Sequence, residues 1–334
     1  MSIIRDSRIA TPLMPYSLRL ATEAAARAAY DWIGRGDRAQ GDAAAILAME
    51  AELKRLPMTG TIVIGEGKRE ECSSLYTGQE IGSAGQLGEW DIVVDPIEGT
   101  SYLMRGMTNA MACMAIAPRG TLFTPGPAFY MEKFAGPPAV RGRIDPDAPV
   151  EEKLRVLSDC VGKPVSELSI YVLEKPRHRD LVERLHAAGA RVMLYPAGDV
   201  AGAIMAAIPE SGIDALMGTG GVPEGLLSAC AIRALGGEFL ARLDPQLATE
   251  RMAVEAAGLS TQHWYGLDEL VRSDDVYFCA TGITTGLMFD GIERARHHEK
   301  TQTLMIGGAA GERQVLTTYH RRTPAQAPSN RIER

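Results

Sequence analysis

The stretch Trp90-Asp91-Ile92-Val93-Val94-Asp95-Pro96-Ile97-Glu98-Gly99-Thr100 decides the fold class of this chain. Ile92, Val93 and Val94 form a short β-branched run of the kind found in strands covered on both faces. The run ends in acids: Asp95 and Glu98 stand three apart, on either side of Pro96. Pro96 fixes its own φ and biases Asp95 toward extended geometry. Gly99 permits a tight bend, and Thr100 adds a hydroxyl. Two carboxylates on a rigid turn repel each other unless something positive lies between them, and carboxylate oxygens suit Mg²⁺ or Mn²⁺. The same letters also read as a polar turn in which an aspartate caps the next helix. The rest of the chain has to decide between the two.

Upstream, Ser17 to Ile33 reads as an alanine-rich helix broken by Gly34-Arg35-Gly36-Asp37-Arg38. A second helix is expected from Asp42 to Leu56, with Ile46, Leu47, Met49 and Leu53 at helical spacing. That places Asp42 at a helix start, where an N-cap is the plain reading. Thr61-Ile62-Val63-Ile64 is a strand that runs into Gly65-Glu66-Gly67, an acid held between two glycines. The four charges Lys68 to Glu71 read as a solvated loop. Open α/β sheets carry their chemistry at the carboxyl ends of strands, so Asp42, Glu66, Asp95 and Glu98 are expected to meet at one edge.

Downstream, Asn109 to Ala117 reads as either a strand or a buried helix turn. From Glu151 onward, strands at 168–173, 191–195 and 213–217 alternate with helices, which predicts parallel strands with crossovers. Further strands are expected near 276–280, 303–306 and 314–320. The division expected is an N-terminal subdomain over 1–160 and a C-terminal one over 161–334, with a frayed tail after Thr323. Lys175-Pro176-Arg177-His178 puts two cations at a strand end, read either as a phosphate clamp or as a charged helix start. In Gly220-Gly221-Val222-Pro223-Glu224, Glu224 falls in the first turn of a helix, where an acid also complements the dipole.

The bulk properties narrow the function. The 334 residues suggest about two domains, and a net charge of −7 without a basic stripe argues against nucleic acid. Five scattered cysteines without CxxC spacing fit reduced thiols and a cytoplasmic protein, and argue against structural zinc. No signal peptide and no run of membrane-spanning length is expected. Taken together, five acids at strand ends and helix starts plus a Lys/Arg pair suit metal-assisted attack of water on a phosphate ester.

Asp95-Pro96-Ile97-Glu98-Gly99-Thr100 resembles the metal-binding motif of the lithium-sensitive phosphatases, which include the inositol monophosphatases and fructose-1,6-bisphosphatases. With Gly34 to Asp37, Ile64 to Gly67, Tyr130 to Lys133, Lys175 to His178, Gly220 to Gly225 and Ala280 to Thr284, the chain resembles the class II fructose-1,6-bisphosphatases of the GlpX type. The resemblance implies a layered α-β-α-β-α sandwich, hydrolysis of the 1-phosphate of fructose-1,6-bisphosphate, Mg²⁺ or Mn²⁺ as cofactor, and assembly as a dimer or tetramer. It assigns Asp42 and Glu66 to one metal site and Asp95, Glu98 and Glu224 to another. It implies that Glu70 and Thr100 orient the attacking water, and that Glu98, Gly99, Thr100, Tyr130, Lys175, Pro176, Arg177, Gly198, Asp199 and Gly221 hold the substrate. Three positions depart from the family pattern: Glu70 replaces an aspartate, Arg38 stands where lysine is common, and Ala197 replaces an aspartate in the turn before Asp199. The alternatives carried forward are sedoheptulose-1,7-bisphosphate, another sugar or inositol phosphate, and a non-catalytic sugar-phosphate or metal-binding relative.

Overall fold

The structure is a computed structural model that describes residues 14–83, 88–308 and 311–322. The tail after Thr323 and the N-terminal segment lie outside these residues. Two helices open the described chain, α1 (Met14–Ala29) and α2 (Arg38–Leu53). The start of α2 corrects the expected boundary. Asp37 is the cap, its side chain accepting the Gln40 N–H at 3.1 Å, so Asp42 lies inside the helix. A carboxylate at Asp37 captures a free first-turn amide just after Gly36 takes φ 72°.

The strands β1 (Thr59–Ile64), β2 (Glu80–Gly82) and β3 (Glu89–Glu98), the short helix α3 (Thr100–Met104) and the strand β4 (Met111–Pro118) follow. The apolar run at 109–117 is therefore a strand. Next, β5 (Tyr130–Gly136) and α4 (Val150–Val161) lead into β6 (Ser169–Leu173), α5 (Arg179–Ala187), β7 (Arg191–Tyr195), α6 (Val200–Ala207), β8 (Ala215–Gly221) and α7 (Val222–Leu235). The chain continues through β9 (Glu238–Leu243), α8 (Ala248–Ala256), β10 (Trp264–Tyr265) and α9 (Leu267–Leu270). It ends with β11 (Tyr277–Gly282), β12 (Glu293–Arg294), β13 (His298–Gly307) and β14 (Glu312–Arg321).

Two sheets result. The first runs β12-β13-β11-β4-β3-β1-β2 with β14 on β13, and the second runs β10-β9-β5-β8-β6-β7. In the second, β6 is parallel to both β7 and β8, as the strand–helix alternation predicts. Antiparallel β5 and β9 complete it. A cut near residue 160 does not separate the sheets, because β5 joins the second and β11 to β14 return to the first. Helices α1 and α2 cover one face of the first sheet, and α6 and α7 fill the space between the sheets. Leu154 of α4 and Leu185 of α5 pack with Ile170 and Val172 on the far face of the second. The architecture is the expected α-β-α-β-α sandwich. Its middle layer is built from small residues: α7 buries Gly225, Ser228, Ala229, Cys230 and Ala231, and α6 buries Ala201, Gly202 and Ala203. This lets both sheets approach the same helices closely.

Candidate active site

The acids of the opening stretch lie within the strand rather than on a turn after it. Regular alternation would send residues three apart to opposite faces. Here Asp95 pairs with Cys113 and Glu98 with Met111, so three steps on β3 match two on β4. This bulge restores parity and puts both carboxylates on the face that carries Val93, toward the middle layer. Pro96 is tolerated in this central strand because pairing with β1 ends at Val93, so no partner on that side needs its missing N–H.

β1 runs parallel to β3, and Glu66 emerges just past its end, its N–H bonded to the Leu75 carbonyl at 2.9 Å. Glu224 arrives from the other side. β8 passes directly into α7, with Gly221 as N-cap and Glu224 in the first turn. One oxygen each from Asp95, Glu98 and Glu224 falls within a set spanning no more than 4.8 Å. These groups line a cavity of about 350 Å³ together with Arg38, Asp42 and Glu66, with Thr100 and Gly99, and with Ala197 and Gly198.

Burial and mutual repulsion dominate the electrostatics. Burial, then the nearness of Glu224 and Asp199, pushes Glu98 up to about 8. Burial and Glu98 hold Asp95 well above the usual carboxylate range. Glu224 is raised chiefly by burial. Glu66 is exposed as a residue, but its carboxyl end reaches the cavity wall. Burial there and the charge of Asp42 raise it to about 7. Glu224 Oε2 is buried and has no partner among the described residues. An all-oxygen, multiply anionic set with an unpartnered inward oxygen fits a hard divalent cation.

Among the expected site residues, Thr100 donates its hydroxyl to the Ile97 carbonyl at 3.0 Å. Gly99 takes φ 80°, which starts α3 and suits glycine. Asp199 is buried, with Oδ2 on Lys133 Nζ at 2.7 Å. Gly221 sits opposite Tyr130 in the β5–β8 pairing. Tyr130, Lys175, Pro176 and Arg177 lie outside the wall of the acidic cavity. Pro176 opens a single 3₁₀ turn, with Lys175 before it and Arg177 within it. The Arg177 guanidinium lies 5.3 Å over the Tyr130 ring and commits Nε and Nη2 to the Thr219 carbonyl at 3.1 and 2.7 Å. Glu70 is exposed on the loop after Glu66 and does not line the cavity.

The structure also gives partners that the sequence reading did not assign. Arg38 pairs with Asp42 at 3.1 Å. Tyr102 donates to the Ala197 carbonyl at 2.5 Å, and Tyr171 donates to that of Gly198, so two phenols clamp the turn before Asp199. His178 is buried, accepting the Thr219 N–H on Nε2 at 2.8 Å, with Nδ1 2.7 Å from the Leu173 carbonyl. Lys133 was legible in principle. It shares a strand face with the buried Met131 and Ala135, and a lysine on a buried face needs an acid.

The comparison with known proteins falls on this geometry. A model of the family described as bacterial fructose-1,6-bisphosphatase, glpX-encoded, matches residues 14–320. The chain belongs to this family. As a GlpX-type chain it is 40% identical over 313 residues to the fructose-1,6-bisphosphatase class 2 of Haemophilus influenzae, covering 90% of this chain and 93% of that one. It is 39% identical over 312 residues to the fructose-1,6-bisphosphatase 1 class 2 of Escherichia coli K12, covering 90% of this chain and 92% of the other. Among the described residues of this GlpX-type chain, no helix is long and apolar enough to cross a membrane.

Proposed function

We propose that this chain hydrolyses the 1-phosphate of fructose-1,6-bisphosphate to give fructose 6-phosphate and phosphate. The observation that carries this reading is the convergence of Asp95, Glu98 and Glu224 at one sheet edge in a chain of this family. These three would hold Mg²⁺ or Mn²⁺, with Asp42 and Glu66 holding a second ion. Bound there, a divalent cation neutralises charge on phosphoryl oxygens and makes water more acidic.

The chain's own part is positioning. Thr100 spends its O–H on Ile97, so its oxygen is left as an acceptor toward a water hydrogen. The water oxygen bonds to phosphorus as the bond from phosphorus to sugar O1 breaks in line; the water gives up a proton as it bonds, and the leaving sugar oxygen takes one up. Lys175, Arg177 and Tyr130 are assigned to the distal 6-phosphate, which does not react. The stacking of Arg177 on Tyr130 and its hydrogen bonds to the Thr219 carbonyl reduce the ordering cost of binding. Glu70 is assigned to the water-orienting step on the family resemblance alone.

Sedoheptulose-1,7-bisphosphate is the second reading, since Ala197 gives the cavity wall a methyl and no hydrogen-bonding side chain for a sugar hydroxyl. We further assign the protein to the cytoplasm as a dimer or tetramer. The exposed Val315 and Tyr319 on the edge strand β14 support self-association. A phosphate-release screen over sugar and inositol mono- and bisphosphates, with and without Mn²⁺, tests the reading. Release from fructose-1,6-bisphosphate only with metal is expected. Metal binding without turnover of any of these esters would overturn it.

A further inference from the structure

Lys133 stands out among the charged groups that the proposed reaction leaves unused. Its side chain has no exposure, and its Nζ lies 2.7 Å from Oδ2 of Asp199, itself 4% exposed. Nothing in the assigned water attack or phosphate binding explains a lysine at the centre of the molecule. Burying an ammonium is costly unless an acid and the surrounding geometry repay it.

The surroundings are shaped around this contact. A Cβ on Gly220 would stand 1.9 Å from Asp199 Oδ2 and 3.0 Å from Lys133 Nζ, and one on Gly225 would stand 3.1 Å from Lys133 Cε. The backbone at the start of α7 is thus pressed onto the ion pair. The other oxygen, Asp199 Oδ1, is buried without a partner among the described residues. Asp199 follows Ala197 and Gly198 of the cavity wall, and the next residue, Val200, donates its N–H to Glu98 at 3.2 Å. One end of this carboxylate is therefore fixed by Lys133, and the other is an unsatisfied acceptor buried just behind the cavity wall.

We propose that Lys133 is a positioning residue of this site: its ammonium fixes Asp199 through Oδ2, so that Oδ1 is presented as an acceptor to a substrate hydroxyl, and it is the internal counter-charge of the acid set. The substrate half of this inference rests on the sugar-phosphate reading above, while the counter-charge half does not. A lysine that only filled space would be replaceable by methionine without any coupling to Asp199.

The test is a double-mutant cycle of wild type, Lys133→Met, Asp199→Asn and the two combined, read in two ways. In phosphate release from fructose-1,6-bisphosphate at saturating Mn²⁺, each single variant should lose about tenfold or more in kcat/KM. The double variant should lose no more than the worse single one. Losses that multiply, or a Lys133→Met enzyme with wild-type kcat/KM, would overturn the positioning role. In Mn²⁺ titration calorimetry, which needs no substrate, Lys133→Met removes a positive charge and should bind Mn²⁺ more tightly. Asp199→Asn should bind it more weakly, and the double variant, with the pair's net charge restored, should return toward wild type. Equal affinities across the four would overturn the counter-charge role. If Lys133→Met fails to fold, the contrast of Asp199→Asn with the double variant still reads the lysine's charge, because the double variant buries no unpaired ion. If the Mn²⁺ series holds while no sugar phosphate is turned over, the substrate reading falls and the counter-charge role stands.

Discussion

The carboxylate of Glu98 accepts the backbone N–H of Val200 at 3.2 Å, across 102 residues of chain. That bond ties the bulged end of β3, in the first sheet, to the start of α6, in the layer between the sheets. A proposed cation ligand and the turn carrying Ala197, Gly198 and Asp199 therefore cannot move independently. Displacing either end should be felt at the other.

Removing the Glu98 carboxylate should separate activity from stability. Glu98→Gln keeps the shape and the acceptor for Val200 but takes one charge out of a crowded, desolvated set. Metal-dependent phosphate release should fall by about three orders of magnitude, on the scale of losing a principal electrostatic group. Thermal melting in chelator should show equal or greater stability than wild type. An active variant would remove Glu98 from the cation site.

The pH dependence of metal stabilisation follows from the raised carboxyls. Glu66, at about 7, and Glu98, at about 8, are lifted in the folded chain from an ordinary value of 4.5. Between those limits the folded state binds more protons than the unfolded state. Stability without metal therefore falls as pH rises through the window. A bound cation needs those protons gone. The Tm gain on adding Mn²⁺ should thus grow from about pH 5.5 to about pH 8. A gain that is flat or shrinks over that range would contradict the assignment.

His178 carries the opposite sign at the acid end. Burial lowers its pKa below the ordinary value of 6.5, so below 6.5 the unfolded chain takes up a proton that the folded chain resists. This contribution to stability is present above 6.5 and is lost as pH falls toward the folded value. His178→Ala leaves the Thr219 N–H without an acceptor and should cost about 1–3 kcal/mol in chemical denaturation at neutral pH. It should also flatten the decline in stability just below pH 6.5.

Gly221→Ala should impair function more than folding. A Cβ there would lie 1.9 Å from Glu224 Oε2, the far end of a side chain that can swing aside. Moving that carboxylate out of the three-acid set should weaken Mn²⁺ binding by about tenfold or more, while Tm in chelator stays close to wild type. Unchanged Mn²⁺ affinity in calorimetry would place Glu224 outside the cation site.

Much of this site was legible because its residues sit at element ends. The β-branched run before Asp95, the glycines around Glu66 and the Pro223-Glu224 helix start each mark a backbone event with local causes. The bulge was not legible. Pro96 announces an irregularity, but only the pairing with Cys113 and Met111 shows that it turns Asp95 and Glu98 to one face. Nor was the start of α2, where Asp37 outcompeted Asp42 because it follows the glycine that redirects the chain. The return of β11 to β14 to the first sheet is a long-range pairing with no local sign. Lys133 entered the sequence reading only as the end of the Tyr130 to Lys133 motif, without a role, because only its position on a buried strand face marks it out.

The route of the chain also sets an order in time. β3, which carries Asp95 and Glu98, is held on one side by β4, and the far edge of β4 is paired by β11. β11 emerges from the ribosome roughly 160 residues after β4, which at about 5–20 residues per second is a wait of several seconds or more. During that interval the second sheet can assemble, while the floor of the acidic cavity keeps an open apolar edge. The nascent chain thus carries Asp95 and Glu98 on a half-built wall, a window in which a chaperone, or a premature encounter with metal, would meet the sheet before its last strands close it.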